Sequence, residues 1–455
     1  MSNSVTQRLD DLPRLRTPAL VNAAEYWLAP DRFARRCQPL GDRFLVAMPN
    51  WRPWLCLTHP DDIKRVFTAD TDVLRLGAAL TKASPHALAL GPTGLTNIDG
   101  PEHMRSRRMQ LPPFHGEALA KHQAVMERKA EEALERWPYG RATRADAHMQ
   151  AISLEVIIAV VFGVTDPDRV ERLRAATLAL MRIANSRRFL AQTIVVTARN
   201  KGWDGRFARV RRATAAIDAI VLEEVAERRR AGAPDQDDVL GMFLRARDED
   251  GVPMPDAELC DAMRTLLLGG HETTASTLAW ILERVSRHPA ELARLEAAAL
   301  DGDDAYVDAV VKEAMRLRPV FPITARLASA PFELGDLTIP AGTLVIPHIT
   351  LVHRRPDLYP DPLAFRPERF LDTRAGTYTW IPFGGGPRRC LGAAFSLIET
   401  RIVLRTMLRH ARLLPTRRPP ERIARHTVTI VPARGATVTL ERRPARGVPR
   451  RRRRA

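Results

Sequence analysis

Cys390 closes the run Phe383-Gly384-Gly385-Gly386-Pro387-Arg388-Arg389-Cys390-Leu391-Gly392. Three glycines let this backbone turn tightly and come close to another group. The cysteine stands at the start of a predicted helix, whose positive end favours thiolate over thiol, as do Arg388 and Arg389. Loop N–H groups can bond the sulfur, which makes it an anionic metal ligand tuned by its surroundings. A phosphate cradle does not fit, because the run lacks the G-K-[ST] ending. A thiol nucleophile would need a general base, and no histidine is near in sequence. The other cysteines, Cys37, Cys56 and Cys260, are far apart and form no C-x-x-C pair. That excludes a zinc finger or a disulfide framework and fits a reducing cytoplasm.

A second run, Gly269-Gly270-His271-Glu272-Thr273-Thr274, sits in the middle of an apolar helical stretch. Each glycine costs a helix interior ~1 kcal/mol relative to alanine. The threonines add β-branch strain and can bond back to the preceding turn. Gly269 and Thr273 are i and i+4, so they share a face that is almost bare of side chain. Either a flat ligand approaches the backbone there, with Glu272 and Thr273 supplying an acid and a hydroxyl, or the helix packs closely on a neighbour. His271 points 100° away from Glu272 and reads as structural. Further on, Glu313 and Arg316 are spaced for a pair on one helix face.

The elements that must position these groups follow from pattern. Arg43 to His59 alternates around Pro49-Asn50 as a hairpin, and Pro60 starts a helix through Phe67. Residues 74–100 are loop-rich, and 102–245 are mostly helical by periodicity. A long helix runs from about Asp256, its candidate N-cap, to about Arg287, on the order of 45 Å. Another covers about Asp303 to Arg318. Short strands follow over 326–352, then a Pro-rich meander over 355–389, and a last helix from about Leu391 to His410. Thr427 to Leu440 reads as a terminal hairpin. With no internal repeat and no linker, the 455 residues read as one mostly helical domain with small sheets at its edges. The most apolar run nearby, Val156 to Val164, is far short of the ~20 residues of a membrane span, and the N-terminus has no signal-peptide pattern. The chain is therefore expected to be soluble and cytoplasmic.

Four motifs, in order, resemble those of the cytochrome P-450 haem-thiolate monooxygenases. They are [AG]-G-x-[DE]-T-[ST] at Gly269–Thr274, E-x-x-R at Glu313 and Arg316, F-x-P-x-R-F at Phe365–Phe370, and F-x-x-G-x-R-x-C-x-G at Phe383–Gly392. His103 and Arg107 add a His-x-x-x-Arg resemblance. The resemblance implies a mainly α fold with small β-sheets, the single triangular cytochrome P-450 fold, with the long helix over a buried haem b (iron protoporphyrin IX). Cys390 is then the metal ligand. Arg388, Arg326, Arg107 and His103 are implied partners of the haem propionates, which Arg can hold bidentately. Gly269, Gly270, Phe383, Gly384 and Gly392 complete the cofactor-binding set. Glu272 and Thr273 are the implied catalytic acid and alcohol that deliver protons during dioxygen activation. Glu313, Arg316 and Arg369 are an implied structural ion network that places the haem loop.

The resemblance also places substrate contacts at Leu74, Leu76, Leu80, Phe189, Leu190, Ile194, Leu267, Val320, Phe321, Ile323 and Ile430. This aliphatic lining suits a lipophilic terpene, fatty acid, steroid or natural-product intermediate. Electrons from NAD(P)H would arrive through a separate ferredoxin or flavodoxin-type donor, with Arg105, Arg108 and Arg389 as a basic face for it. Desaturation, coupling or peroxygenation on the same haem, or a haem sensor, are the alternative readings. The formal charge is +17, and 64 of the 70 basic residues are arginine. Residues 442–455 hold 8 of these arginines, and without them the charge is +9. No nucleic-acid motif accompanies that run. It reads as a solvated, disordered tail beyond a catalytic domain of residues 1–441. No nucleic-acid partner is expected, and the protein is expected to be a monomer.

Overall fold

A computed structural model describes residues 7–83, 87–164, 166–186, 188–189, 191–192, 207–232, 236–371, 376–426 and 428–444. The architecture is set by helices α1 (Gly100–Gln110), α2 (Gln123–Glu135), α3 (Ala145–Ile157), α4 (Pro167–Ala184), α5 (Ala208–Arg230), α6 (Asp256–Val285), α7 (Asp304–Leu317) and α8 (Ala393–His410). The centre is α6. Its 30 residues span ~45 Å, and most of them are buried. It packs on α3, α5, α7 and α8, while α4 packs on α5 and α2 on α8. Leu259, Met263, Leu267, Leu278, Ile281 and Leu282 of α6 join the largest apolar cluster with Ile152, Val156 and Leu404.

The expected boundaries shift at several ends. Pro255, not Asp256, precedes the first turn of α6. Asp256 is the first helical residue and its carboxylate pairs with Arg229 at 2.6 Å. Asp303 does cap α7, accepting from Ala305 N at 3.0 Å. The last helix begins at Ala393 rather than Leu391. The apolar stretch around Val156 is longer than the sequence pattern suggests: Ala145–Phe162 is helical over 18 residues with mean hydropathy 1.5. By length and composition this segment could cross a membrane, yet 61% of it is buried inside the protein, against α6.

The described strands form one five-stranded sheet and four two-stranded ones. The main sheet has the order β1 (Arg43–Val46), β2 (Trp54–Leu57), β5 (Leu344–Pro347), β4 (Arg326–Ala328), β3 (Leu74–Arg75). β1 and β2 form the expected hairpin, with Asn50 at φ 61. β5 runs parallel to β2 and antiparallel to β4. The terminal hairpin lies earlier than expected. β6 (Ile423–His426) pairs with β7 (Thr429–Pro432), and Thr427 lies outside the described residues. Thr437–Val438 instead pairs with Thr143–Arg144, and Leu440–Arg442 with Ala411–Leu413. These later strands close on distant partners, which alternation along one segment cannot reveal. They also carry the fold past the expected tail boundary: Arg443 Nε donates to Leu408 O at 2.9 Å. Residues 445–455 lie outside the described residues.

Candidate functional site

The run 383–392 is held from three sides. Gly386 has φ +63, and a Cβ there would meet Phe67 O at 1.8 Å. Only glycine permits this approach to the helix Pro60–Thr68. Cys390 N donates to Phe383 O at 2.9 Å, which closes the loop. Phe383 packs edge-on to Trp380, their centroids 6.0 Å apart. Gly384 takes φ +69, and Gly392 O accepts from Ser396 N in the first turn of α8. The Cys390 residue is exposed, whereas Cys37, Cys56 and Cys260 are buried. Its thiol does not behave as the sequence suggests. The protein packed around it pushes it up, and the Gly392 N–H, Arg107 and Arg389 oppose that without overcoming it.

Cationic groups converge beside this loop. Arg326 of β4 is 3% exposed, and among the described residues its hydrogen bonds go to Thr324 Oγ1 and Ala325 O. Burial pulls it down to about 9, and Arg388 adds to the effect. Burial likewise lowers Arg388 to about 10, with Arg107 lowering it further. His103 of α1 falls to about 3 through burial beside Arg388, Arg107 and Arg326, and its Nδ1 has no hydrogen-bond partner among the described residues. The carboxylate found among them is Asp99. It accepts from Arg388 and from Gly77 N at 2.9 Å and Ala78 N at 2.8 Å. Arg388 also donates to Leu95 O and Ile98 O. So Arg388 is already tied to the 95–99 loop, while among the described residues Arg326 and Arg107 have no ion pair of their own. A dianionic group with a metal centre fits this set: buried cations call for carboxylates, and Cys390 offers a thiolate. Haem, with two propionates, has that chemistry.

The glycine pair in α6 divides its labour. Gly269 is exposed in an otherwise buried helix, and a Cβ there would meet nothing within 4 Å. Gly270 does not belong with it. A Cβ on Gly270 would meet Ile157 Cδ1 at 2.5 Å, so this glycine lets α3 approach. Close packing on a neighbour is seen at Gly270, and open space at Gly269. Thr273 Oγ1 donates back to Gly269 O at 2.5 Å. His271 is 1% exposed and bonds Gln150 O of α3 at 2.9 Å, as a structural residue would. Glu272 is 8% exposed, and burial pushes its carboxyl up to about 7. Its partner is Thr429 Oγ1 at 3.0 Å, on the terminal hairpin.

The ion network forms at full burial. Arg316 donates to both Glu313 oxygens, at 2.7 and 2.8 Å. Its remaining N–H groups reach His353 O, Pro362 O and Ala364 O. Arg369 Nε lies 3.6 Å from Glu313 Oε1, and Arg366 N donates to the same oxygen at 2.8 Å. His353, which sequence reasoning missed, extends the chain. Its Nδ1 meets Arg316 O at 3.1 Å, and its Nε2 accepts from Ile381 N at 2.9 Å. The Nε2 acceptor role fixes the proton on Nδ1. The network thereby reaches the residues just before Phe383.

The residues expected to line the substrate pocket are spread over the fold. Leu74, Phe189, Leu267 and Ile430 are packed into the core, at 0–4% exposure. Leu74 sits in β3 opposite Ala328, and Phe189 meets Phe207 edge-on. Ile430 is clamped by Val320 O and Trp280 Nε1. Ile323 packs against the cluster around Phe33 and Phe44. Val320 is half-buried and Phe321 is 37% exposed. Leu190 and Ile194 lie outside the described residues. The basic face is also reduced. Arg105 pairs with Glu258 at 2.5 Å and Asp248 at 3.6 Å, and Arg108 with Glu249 at 3.2 Å. Acids of the loop before α6 and of its first turn pair with these two arginines, while Arg108 and Arg389 stay exposed.

The sequence profile of the family described as Cytochrome P450 matches residues 13–440. A Mycobacterium tuberculosis protein named cytochrome P450 137 is 39% identical over 390 residues, covering 84% of this chain and 79% of its own length. Another from that organism, named cytochrome P450 135A1, is 35% identical over 456 residues and covers 97% of each chain. The crystal structure of the cytochrome P450DA heme domain superimposes with a TM-score of 0.81 at 22% identity, covering 97% of this chain and 98% of that one. The retinoic acid-bound cyanobacterial CYP120A1 gives 0.77 at 22% identity, covering 95% and 99%. These two show the shared fold.

Proposed function

The chain belongs to the cytochrome P450 family of haem-thiolate monooxygenases, and from that premise we propose that Cys390 ligates the iron and that the enzyme inserts one atom of O2 into a lipophilic small molecule. The observation that carries the reading is the exposed Cys390 beside the arginines Arg326 and Arg107 and the neutral His103, with Asp99 engaged by Arg388. Bound haem supplies dioxygen reduction and oxygen transfer. Arg326, Arg107 and His103 bind its propionates, and Arg388 keeps the 95–99 loop beside them. Gly269 leaves the helix face bare for the distal side. Glu272 stores a proton in a site that excludes water, and Thr273 presents a hydroxyl one residue on. A carboxyl pushed up to about 7 can give and regain its proton at neutral pH.

The lipophilic substrate is supported by the half-buried Leu266 and Leu268 just before Gly269 on the sequence, with Val320 and Phe321. Electrons would come from NAD(P)H through a separate ferredoxin or flavodoxin-type donor, which Arg389 is placed to meet. The catalytic unit would be residues 1–441, and the Arg-rich end plays no part in the chemistry.

The test is spectral. Reduced protein exposed to carbon monoxide is expected to show the red-shifted Soret band of a thiolate ligand, and Cys390→His to lose it. A haem-imidazole spectrum in the wild-type protein would refute the assignment. A spectral titration over terpenes, fatty acids, steroids and polar controls tests the substrate class. Shifts confined to charged, hydrophilic compounds would contradict it.

A further inference from the structure

Thr429 Oγ1 lies 3.0 Å from Glu272 Oε1 and 2.9 Å from His426 O. A hydroxyl carries one hydrogen, and a carbonyl oxygen can only accept. If Glu272 were ionised it too could only accept, and one of the two contacts would set lone pairs against each other. Thr429 is 3% and Glu272 8% exposed, so water does not relieve that conflict. Both contacts are satisfied when Glu272 carries the proton and donates it to Thr429, while Thr429 donates to His426 O. Burial dominates at Glu272 and outweighs the Thr429 hydrogen bond, which by itself pulls the carboxyl down.

Thr429 cannot drift away from this contact. The next residue, Ile430, is fixed at both backbone groups, its N–H on Val320 O and its carbonyl on Trp280 Nε1. Trp280 stands two turns beyond Glu272 on α6, so the hairpin is pinned to that helix at two levels. Thr273, 100° round the helix, turns to Gly269 O instead. The acid and the alcohol therefore face different neighbours.

We infer that Thr429 is a positioning residue for proton delivery: it holds Glu272 as a neutral acid turned toward the β6–β7 hairpin, and the proton becomes available to the Thr273 side only when that bond is exchanged. This rests on the reading of Glu272 as the proton source. No group is oxidised or reduced in this step. The O–H···O bond from Glu272 to Thr429 breaks, and the proton leaves with the carboxyl as it turns.

The experiment uses the full-length, haem-loaded protein with Thr429→Val, Thr429→Ser and Glu272→Gln. The infrared C=O band of a neutral carboxyl at pH 6 identifies Glu272 by its loss in Glu272→Gln. Thr429→Val is expected to move that band to higher wavenumber, because the hydrogen bond is gone. It is also expected to lower product formed per O2 consumed by about five-fold, the scale of one hydrogen bond. Thr429→Ser is expected to restore both. An unmoved band in Thr429→Val, or a coupling loss that Thr429→Ser does not rescue, would overturn the inference. The failure of the underlying reading looks different: Glu272→Gln itself would then leave coupling unchanged while Thr429→Val still moved the band.

Discussion

Glu272 and Glu399 are carboxyls set into apolar surroundings, and burial pushes them up to about 7 and about 8. A buried acid held above its ordinary value makes folding depend on pH in one direction. The folded protein keeps its proton where the unfolded chain has lost it, so the stabilisation is complete below the ordinary carboxyl range, near 4.5. It is lost as pH rises toward about 7. Glu272→Gln removes this dependence at one site. Comparing pH 5 with pH 8 by chemical denaturation, wild type is expected to lose ~3 kcal/mol more than Glu272→Gln. An equal loss in both would contradict the raised carboxyl. The glycine pair gives a second residue-scale prediction. Gly269→Ala meets open space and should stabilise the haem-free protein by up to ~1 kcal/mol through helix propensity, while weakening haem uptake. Gly270→Ala meets Ile157, so its thermal midpoint should not rise unless Ile157→Ala accompanies it. Equal midpoints for the two glycine variants would count against this division of roles.

Between elements, the connection from α7 to the cysteine loop runs through His353. Burial and the neighbouring Arg316 hold this ring neutral, down to about 3, so it can accept from Ile381 N at neutral pH. His353→Leu keeps the volume and removes both bonds. It leaves a buried N–H at Ile381 without a partner, at an expected cost of ~1–3 kcal/mol. The haem-loaded fraction after purification, read from the ratio of Soret to protein absorbance, should fall accordingly, and an unchanged ratio would exclude this route. Such couplings explain what the sequence could and could not convey. Cys390, Gly386 and Arg388 lie within a few residues of each other, so their spacing alone carries the chemistry. Glu313 and Arg316 are legible for the same reason, as one helical turn. Asp99, His353 and Thr429 are ordinary residues made specific by partners that stand 289, 37 and 157 positions away. Leu74 and Leu267 look the same in sequence whether they line a pocket or fill a core. The β6–β7 hairpin was misplaced because Thr437 and Leu440 alternate well but pair with other segments.

For the whole molecule, four buried histidines work in the opposite sense from the buried acids. His103, His348 and His353 are lowered to about 3 and His271 to about 4. The unfolded chain takes up protons on these rings from about pH 6.5 downward, where the folded protein does not, so stability falls with acid. With Glu272 and Glu399 eroding it from the alkaline side, the thermal midpoint should peak between roughly pH 6 and 7. A midpoint that rises steadily from pH 5 to pH 9 would refute this balance. The excess of arginine is less of a surface property than it seemed, since Arg316, Arg326, Arg264 and Arg228 are each under 5% exposed.

The cations gathered around His103 and Arg326 bear on how much of this protein a cell can keep. A polypeptide that has folded before its prosthetic group arrives holds several buried positive groups near one engaged carboxylate, Asp99. Ligand binding raises the folded fraction by mass action, and chains that open are taken by proteases. Steady-state abundance should therefore track porphyrin and iron supply at constant transcription, so that scarcity of either clears the enzyme from the cell before it idles there without its cofactor.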